Sequence, residues 1–490
     1  MFPYKTYFKL DRKSSQALYI QLSNQFIQLI KEQKLPSQSK LPGTRTLADL
    51  LNVHRKTIVA CYDELAMQGW VESVPKKGTF VHCKLPDFNP KELSVSETKN
   101  NDSKKFDFYT NDFLGRKFNE LKDDWTYIND GICDTRLTPV DEIARTYRRV
   151  AGKKNIYKDL SYVSTYGNEK LRKVLVAYLN ETRGLKINLD NILITRGSQN
   201  GIYLSSQLLL RENDVVVVGK TNYISADITF EKSKAIIKRI GVDEEGLITK
   251  DLEKLCKLHR VKAVYVTSHH HHPTTVTLSA ERRIHLLNLA KEYGFAIVED
   301  DYDYDFNYNH APILPLACHD VNGNVIYIGS VCKTVAPVFR IGYLIAHKSF
   351  IDEAAKLRRI VDRQGDALLE LTFADFIQSG DLDNHIRRVM KVYRGRRDLF
   401  CELVSSELGN YVDFEIPKGG MAVWLHLKTP YNWSKIALEA RKYKLEIGDF
   451  NRYDSIKSNH NCIRVGFASY KEEELYVLIS KLKKAITSCS

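Results

Sequence analysis

No two cysteines of this 490-residue sequence form a Cys-x-x-Cys pair; the nine lie scattered at 61, 83, 133, 256, 318, 332, 401, 462 and 489. That scatter indicates neither a zinc ribbon nor a disulfide framework, and a reducing compartment fits best. No run approaches the ~18 apolar residues of a membrane-spanning helix. The opening MFPYKTYFKLDRK has no apolar core of signal-peptide length. No internal repeat is evident. A cytoplasmic protein is the expectation.

With 43% hydrophobic and 27% charged residues the composition is that of an ordinary globular protein. The chain is too long for one compact core, and about three domains are expected. The net charge of +13 is unevenly placed. Residues 1–84 hold thirteen Lys and Arg against six Asp and Glu, a surplus of seven, while the other 406 residues carry a surplus of only six. A basic head on a nearly balanced body suggests that the head binds a polyanion.

Apolar spacing in the head predicts an amphipathic helix over 15–34 with Leu18, Leu22, Phe26, Leu29 and Ile30 on one face. A short helix over 45–51, a turn at Asn52 and Val53, and a second helix over 55–68 capped by Gly69 follow. Strands at 70–74 and 79–82 flank the turn PKKG. Three helices and a basic hairpin make a winged helix-turn-helix. Arg55, Lys56 and Thr57 open the recognition helix, where base edges and phosphates are met, and Lys76, Lys77 and Gly78 form the wing tip. A helical packing module with a solvated basic face is the plainer alternative.

This segment resembles the GntR family of bacterial repressors, through LYIQLSNQFIQLI, LPGTRTLADLLNVHRKTI and KKGTFV. The resemblance implies that Arg45, Arg55 and Thr57 contact operator DNA. Val59 stands where some relatives carry an arginine, which implies a different base specificity.

From 85 to 105 the sequence turns to Pro, Ser, Asn and charge, the composition of a flexible linker. Over 106–490, apolar runs at 191–195, 215–219, 262–267, 295–300, 325–329 and 341–347 alternate with helical stretches such as 198–211 and 280–293. That alternation predicts an α/β domain with a mostly parallel sheet, followed by a smaller α+β subdomain over about 349–490.

Ligands bind beyond the carboxyl ends of such strands. Gly197, Ser198 and Gln199 begin a helix there, a site for an anion. Lys333 follows the run VIYIG among apolar residues, where burial favours a neutral, nucleophilic amine suited to a Schiff base. Ser330 and Arg340 offer groups that hold a phosphate. Alone, Lys333 reads as a surface lysine. The run EDDYDYDF reads alone as a solvated acidic loop, as a magnesium site on Asp300, Asp301 and Asp303, or as a cofactor site. In that last role Asp300 faces a pyridine nitrogen and Tyr302 the ring hydroxyl, which together with Lys333 points to pyridoxal phosphate (PLP). Four adjacent histidines, 269–272, invite a metal reading, but neighbouring side chains cannot all face one ion and no metal site is expected.

Nearly the whole body resembles the fold-type I, aspartate aminotransferase-like PLP domain, through ITRGSQNG, HHPTTVTLSAERR, VEDDYDYDF and GSVCKTVAPVFRIGY. With a GntR head, the arrangement is similar to the MocR/GabR-type (PdxR-like) regulators. The resemblance implies that Lys333 forms the Schiff base, that Asp300 and Tyr302 serve the ring, and that Ser198, Gln199, Ser330 and Arg340 hold the phosphate. It places Tyr223 beside the ring, although the usual Pro-Gly before it is absent. It also has Tyr166 reach the phosphate of a partner subunit in a head-to-tail homodimer; the alternative is a core tyrosine. Arg452 and Arg464 match positions that grip an effector carboxylate; the lesser alternative for either is a structural ion-pair arginine. The function implied is a PLP-dependent regulator that binds operator DNA and senses PLP, an amine or an amino acid. An aminotransferase with an accessory DNA-binding domain is the second reading.

Overall fold

The computed structural model describes residues 2–85, 123–308, 313–331, 333–448, 453 and 460–489. The chain divides into two compact units, Met1–Thr110 and Asn111–Ser490. The linker expected at 85–105 lies, beyond its first residue, outside the described residues.

In the first unit, helices Leu18–Lys31, Thr44–Leu51 and Arg55–Met67 surround a core of Leu22, Phe26, Leu47, Ile58 and Leu65, all fully buried. Asn52, in the left-handed region at φ 51°, turns the chain between the second and third helices, and Gly69 at φ 76° ends the third. Strands Val71–Val74 and Gly78–Val81 pair antiparallel as the wing. A short helix, Tyr4–Tyr7, was not anticipated from the sequence; Tyr4 and Phe8 close the core, with Phe8 4.6 Å from Phe26 between ring centroids.

The second unit is built on a seven-stranded sheet in the order Ile192–Thr195, Gly342–Ile345, Val325–Ser330, Ala296–Asp301, Val261–Val266, Val215–Gly219, Ile236–Ile240. Every pairing is parallel except those of Gly342–Ile345, which runs antiparallel to both neighbours. The connection from Ser330 back to Gly342 contains no crossover helix, so the chain returns beside its own strand, and only antiparallel pairing allows that. All six expected strands are present. The seventh, Ile236–Ile240, is a half-exposed edge strand whose IIKRI lacks the continuous apolar run of its buried neighbours.

The smaller subdomain does not coincide with 349–490. Ile351, Ala354 and Ala355 of helix Lys348–Val361 pack on one face of the large sheet, and Phe373 and Phe376 of helix Ala367–Gln378 pack on the other. The core of the three-stranded sheet Val412–Asp413, Ala422–Leu427, Cys462–Gly466 starts at Val389 and draws in Cys133 and Phe306 from far upstream. Composition could not assign those helices, because both subdomains bury the same kinds of residue. The 28-residue helix Asp381–Leu408 runs from one subdomain to the other. Near its start His385 Nε2 lies 2.9 Å from the Thr334 carbonyl. Two to three turns on, Tyr393 Oη accepts the Asp134 backbone N–H at 2.9 Å and Arg396 holds the Asp134 carboxylate at 2.9 Å.

Candidate functional site

Strand register builds the site. Thr195 and Ser330 both lie level with Gly342, so the strand ends that carry Ser198, Ser330 and Arg340 meet at one edge of the sheet. Ser198 opens helix Ser198–Leu209, and Gly197 before it has φ 77°, a conformation that suits glycine. A Cβ added at Gly197 would sit 3.1 Å from both terminal nitrogens of Arg340. The guanidinium therefore lies against the helix start, and its Nη2 donates to the Arg196 carbonyl at 2.7 Å. Ser330 Oγ donates to the Ile341 carbonyl at 3.2 Å. A helix N-terminus, hydroxyls and a guanidinium are groups that can hold a phosphate. Gln199, one residue further, turns its amide to Thr229 Oγ1 at 2.9 Å.

The acidic run is not a solvated loop: Glu299, Asp300, Asp301 and Asp303 are all buried. Nor do Asp300, Asp301 and Asp303 converge as magnesium ligands. Asp301 binds Tyr327 and His269, Asp303 binds His270 at 2.8 Å, and Glu299 caps the backbone at Leu316 and Ala317. Asp300, near the end of the central strand Ala296–Asp301, accepts from Tyr265 Oη at 2.8 Å on Oδ2, while its buried Oδ1 has no hydrogen-bond partner. Burial lifts its carboxyl to about 7 despite the tyrosine. A buried carboxylate oxygen without a partner fits the N–H of a protonated ring nitrogen.

Lys333 donates to the Gly131 carbonyl at 2.9 Å, and its amine lies 5.7 Å from the Tyr302 ring centroid. Burial pushes the amine below the usual lysine value; Asp130 opposes this and Arg464 adds to it. The shift favours the neutral, nucleophilic form. Tyr302 Oη donates to the His270 carbonyl at 3.0 Å. Tyr223 meets His272 edge-on with ring centroids 5.2 Å apart.

The four histidines point to four different walls. His269 faces Asp301, His270 faces Asp303, His271 lies 3.0 Å from the Thr221 carbonyl, and His272 lies 3.0 Å from Asp130 Oδ2. Burial drives His271 down to about 4 and also lowers His272. Among the described residues no group of three or more side chains is arranged to hold a metal.

Tyr166 donates to Asp352 of its own chain at 2.8 Å, and Arg172 lies over its ring at 5.4 Å. Arg464 is buried in strand Cys462–Gly466 within reach of Asp130 and Tyr302. Arg452 lies outside the described residues. In the first unit Arg45, Arg55, Lys56, Lys76, Lys77 and Gly78 are exposed and Thr57 is half-buried at the start of its helix. Sequence reasoning missed Tyr265, Asp130, Gly131 and Tyr453. Tyr265 had one visible sign, a phenol inside the buried strand KAVYVT, where its hydroxyl needs a partner. Asp130 lies about two hundred residues from Lys333 and had none.

The model of aminotransferase class I and II matches residues 128–482. The chain belongs to that family. The model of gntR-family bacterial regulatory proteins matches residues 18–81 of the same chain. The aminotransferase domain is similar to the multiple substrate aminotransferase of Thermococcus profundus, with TM-score 0.71 and 26% identity over 75% of this chain and 92% of that one. A kynurenine aminotransferase of Pyrococcus horikoshii also aligns at TM-score 0.71 and 26% identity, over 78% of this chain and 97% of its own. Along its whole length the chain is similar to an HTH-type transcriptional regulator of Bacillus subtilis (strain 168), YdeL, 25% identical over 97% of this chain and 98% of that protein. It is likewise 25% identical to the probable rhizopine catabolism regulatory protein MocR of Rhizobium meliloti, over 84% of this chain and 82% of that protein. PLP is the cofactor that the aminotransferase domain implies, and Lys333, Asp300 and the cradle at Ser198 and Arg340 fit it.

Proposed function

We propose that this protein is a DNA-binding transcriptional regulator whose aminotransferase-like body holds PLP at Lys333 and senses an amino compound or PLP itself. One observation carries the reading: a buried, nucleophilic lysine and a carboxylate oxygen without a partner share a site, in a chain that also carries a basic winged helix-turn-helix. When bound, PLP supplies an electrophilic carbon and an electron-withdrawing ring. Lys333 offers the amine. Asp300 Oδ1 would accept from the ring nitrogen, Tyr302 lies beside the lysine, and Ser198, Ser330 and Arg340 would hold the phosphate. In the head, Arg45, Arg55, Lys56 and Thr57 meet operator DNA in the major groove, and Lys76, Lys77 and Gly78 meet the backbone.

The protein acts as a homodimer in this reading. Tyr157, Leu160 and Tyr162 are more than half exposed, and so is Ile360. The backbone N–H of Val163 donates to Gln364 at 2.8 Å and Arg363 lies 4.0 Å over the Tyr162 ring, so the two segments that carry these exposed apolar residues touch, and exposed apolar surface is what an interface would cover. A ligand that favours one dimer arrangement shifts the population that binds DNA.

The second reading is a working aminotransferase, and the completeness of the Lys333, Asp300 and Tyr302 set favours it. Full-length protein, scored for binding to the DNA upstream of its own gene and for turnover with a common amino donor, separates the two. Operator binding that responds to PLP or an amine supports the regulator. Robust turnover without DNA binding overturns it.

A further inference from the structure

We infer that Arg12 binds a phosphate of the DNA beside the recognition helix, carried there by a strap, residues 9–16, that two glutamines of helix Leu18–Lys31 hold in place. The inference rests on the DNA-binding reading of the head, and it adds a contact that lies outside both the helix-turn-helix and the wing.

Residues near a chain end stay ordered only when something ties them down. Here the tie is specific. Gln25 pairs reciprocally with the backbone of Lys9, its Oε1 accepting the N–H and its Nε2 donating to the carbonyl, both at 2.8 Å. One turn earlier Gln21 does the same for Asp11, at 3.0 and 2.9 Å, and its Nε2 also donates to the Gln16 carbonyl at 2.8 Å. Phe8 is buried and Leu10 packs on the same core, while Lys9 and Asp11 are exposed, which is the alternation of an extended segment. Two residues of such a segment advance about 6.6 Å and four residues of helix about 6 Å, so the two glutamines keep step with the strap. Asp11 Oδ1 then accepts the Lys13 N–H at 2.8 Å, and the chain turns at Arg12.

From that turn Arg12 Nη2 donates to the Asn52 carbonyl at 2.6 Å. Asn52 ends helix Thr44–Leu51, and three residues further Arg55 opens the recognition helix. Arg55 Nε lies 3.4 Å from Thr44 Oγ1, at the other end of the same helix. The eight residues of Thr44–Leu51 span about 12 Å, which is about the width of the major groove. Arg45 near one end and Arg12 at the other thus stand about a groove's width apart, with the start of the recognition helix joined to both ends. The first helix of such a pair crosses the DNA backbone, so cations at its two ends are placed for phosphates on either side of the groove. Arg12 is exposed, and among the described residues its Nε and Nη1 make no hydrogen bond and no carboxylate pairs with it. A guanidinium that keeps N–H groups to spare once its anchor is made suits a phosphate oxygen.

The test titrates full-length protein by fluorescence anisotropy over a salt series, against DNA from upstream of its own gene and against scrambled DNA, with thermal denaturation alongside. Arg12→Gln can still donate to the Asn52 carbonyl but carries no charge. It will weaken binding to both DNAs about fivefold at about 0.15 M salt and make the salt dependence shallower by about 0.9, the share of one phosphate contact. Arg12→Lys, which keeps the charge, will keep the native salt dependence. An unchanged salt dependence in Arg12→Gln, whether or not Tm falls, makes Arg12 a cap on Asn52 and overturns the inference. So does a salt dependence in Arg12→Lys as shallow as in Arg12→Gln, or a loss confined to the upstream DNA, which would make Arg12 a reader of bases. Native protein that binds neither DNA at low salt overturns the DNA-binding reading beneath it.

Discussion

Tyr265 holds one oxygen of Asp300 at 2.8 Å and leaves the other buried with no partner. The pair joins adjacent strands of the sheet, and it turns a carboxyl raised to about 7 by burial toward whatever ring nitrogen enters. In cofactor-free protein that carboxyl is neutral where the unfolded chain, with a value near 4, would ionise it. Its contribution to stability is thus present below about 4 and is lost as pH rises through about 7. Thermal denaturation of cofactor-free protein between pH 5 and 8 will show a steeper loss of Tm with rising pH in the native chain than in Asp300→Asn. Tyr265→Phe removes the remaining donor at a cost of about 1–3 kcal/mol.

Lys333→Ala removes the only described side chain at the site that offers an amine. Purified with PLP, the native protein will be yellow and will be trapped covalently by borohydride. The variant will be colourless and untrapped, which spectrophotometry and intact mass check together.

Tyr166→Phe separates the two roles for that residue. As a core tyrosine it loses only its bond to Asp352, about 0.5–1.5 kcal/mol of stability, with PLP affinity unchanged. If it also reaches a partner's phosphate, PLP affinity falls as well. Equilibrium dialysis with PLP beside thermal denaturation reads both.

In the head, Lys76→Ala combined with Lys77→Ala will weaken operator binding uniformly across sequences and reduce the salt dependence by about one unit per lysine. Arg55→Ala will cost about 1–3 kcal/mol and relax specificity at the base it meets. Fluorescence anisotropy over a salt series with operator and scrambled DNA distinguishes these outcomes.

Leu65 is fully buried in the small head core. Leu65→Ala will destabilise that unit by about 2–5 kcal/mol, abolishing DNA binding before it affects the visible band.

Much of this architecture is legible in the residues, and the limits have physical causes. The head helices lie within a few residues of their expected bounds, because a 3.6-residue apolar period over a dozen positions is hard to mistake. Six strands of the large sheet are evident as buried β-branched runs, whereas Ile236–Ile240 is not, since an edge strand need not be apolar on both faces. Lys333, Asp300 and Tyr302 stand in dense motifs. Asp130 and Gly131 belong to no motif and reach the lysine only through tertiary packing. The acidic run looked open to water because composition cannot show that each carboxylate has its own partner in the interior.

The helix Asp381–Leu408, at 1.5 Å per residue, is a beam about 40 Å long. It is tied near one end to Thr334, the residue after the lysine, and two to three turns on to Asp134, three residues after the carbonyl that the lysine holds. Were the Lys333 amine to give up Gly131 for a cofactor carbon, one strut of that triangle would be cut while the other two stayed fastened. An event at that single nitrogen would then be felt by the longest helix among the described residues.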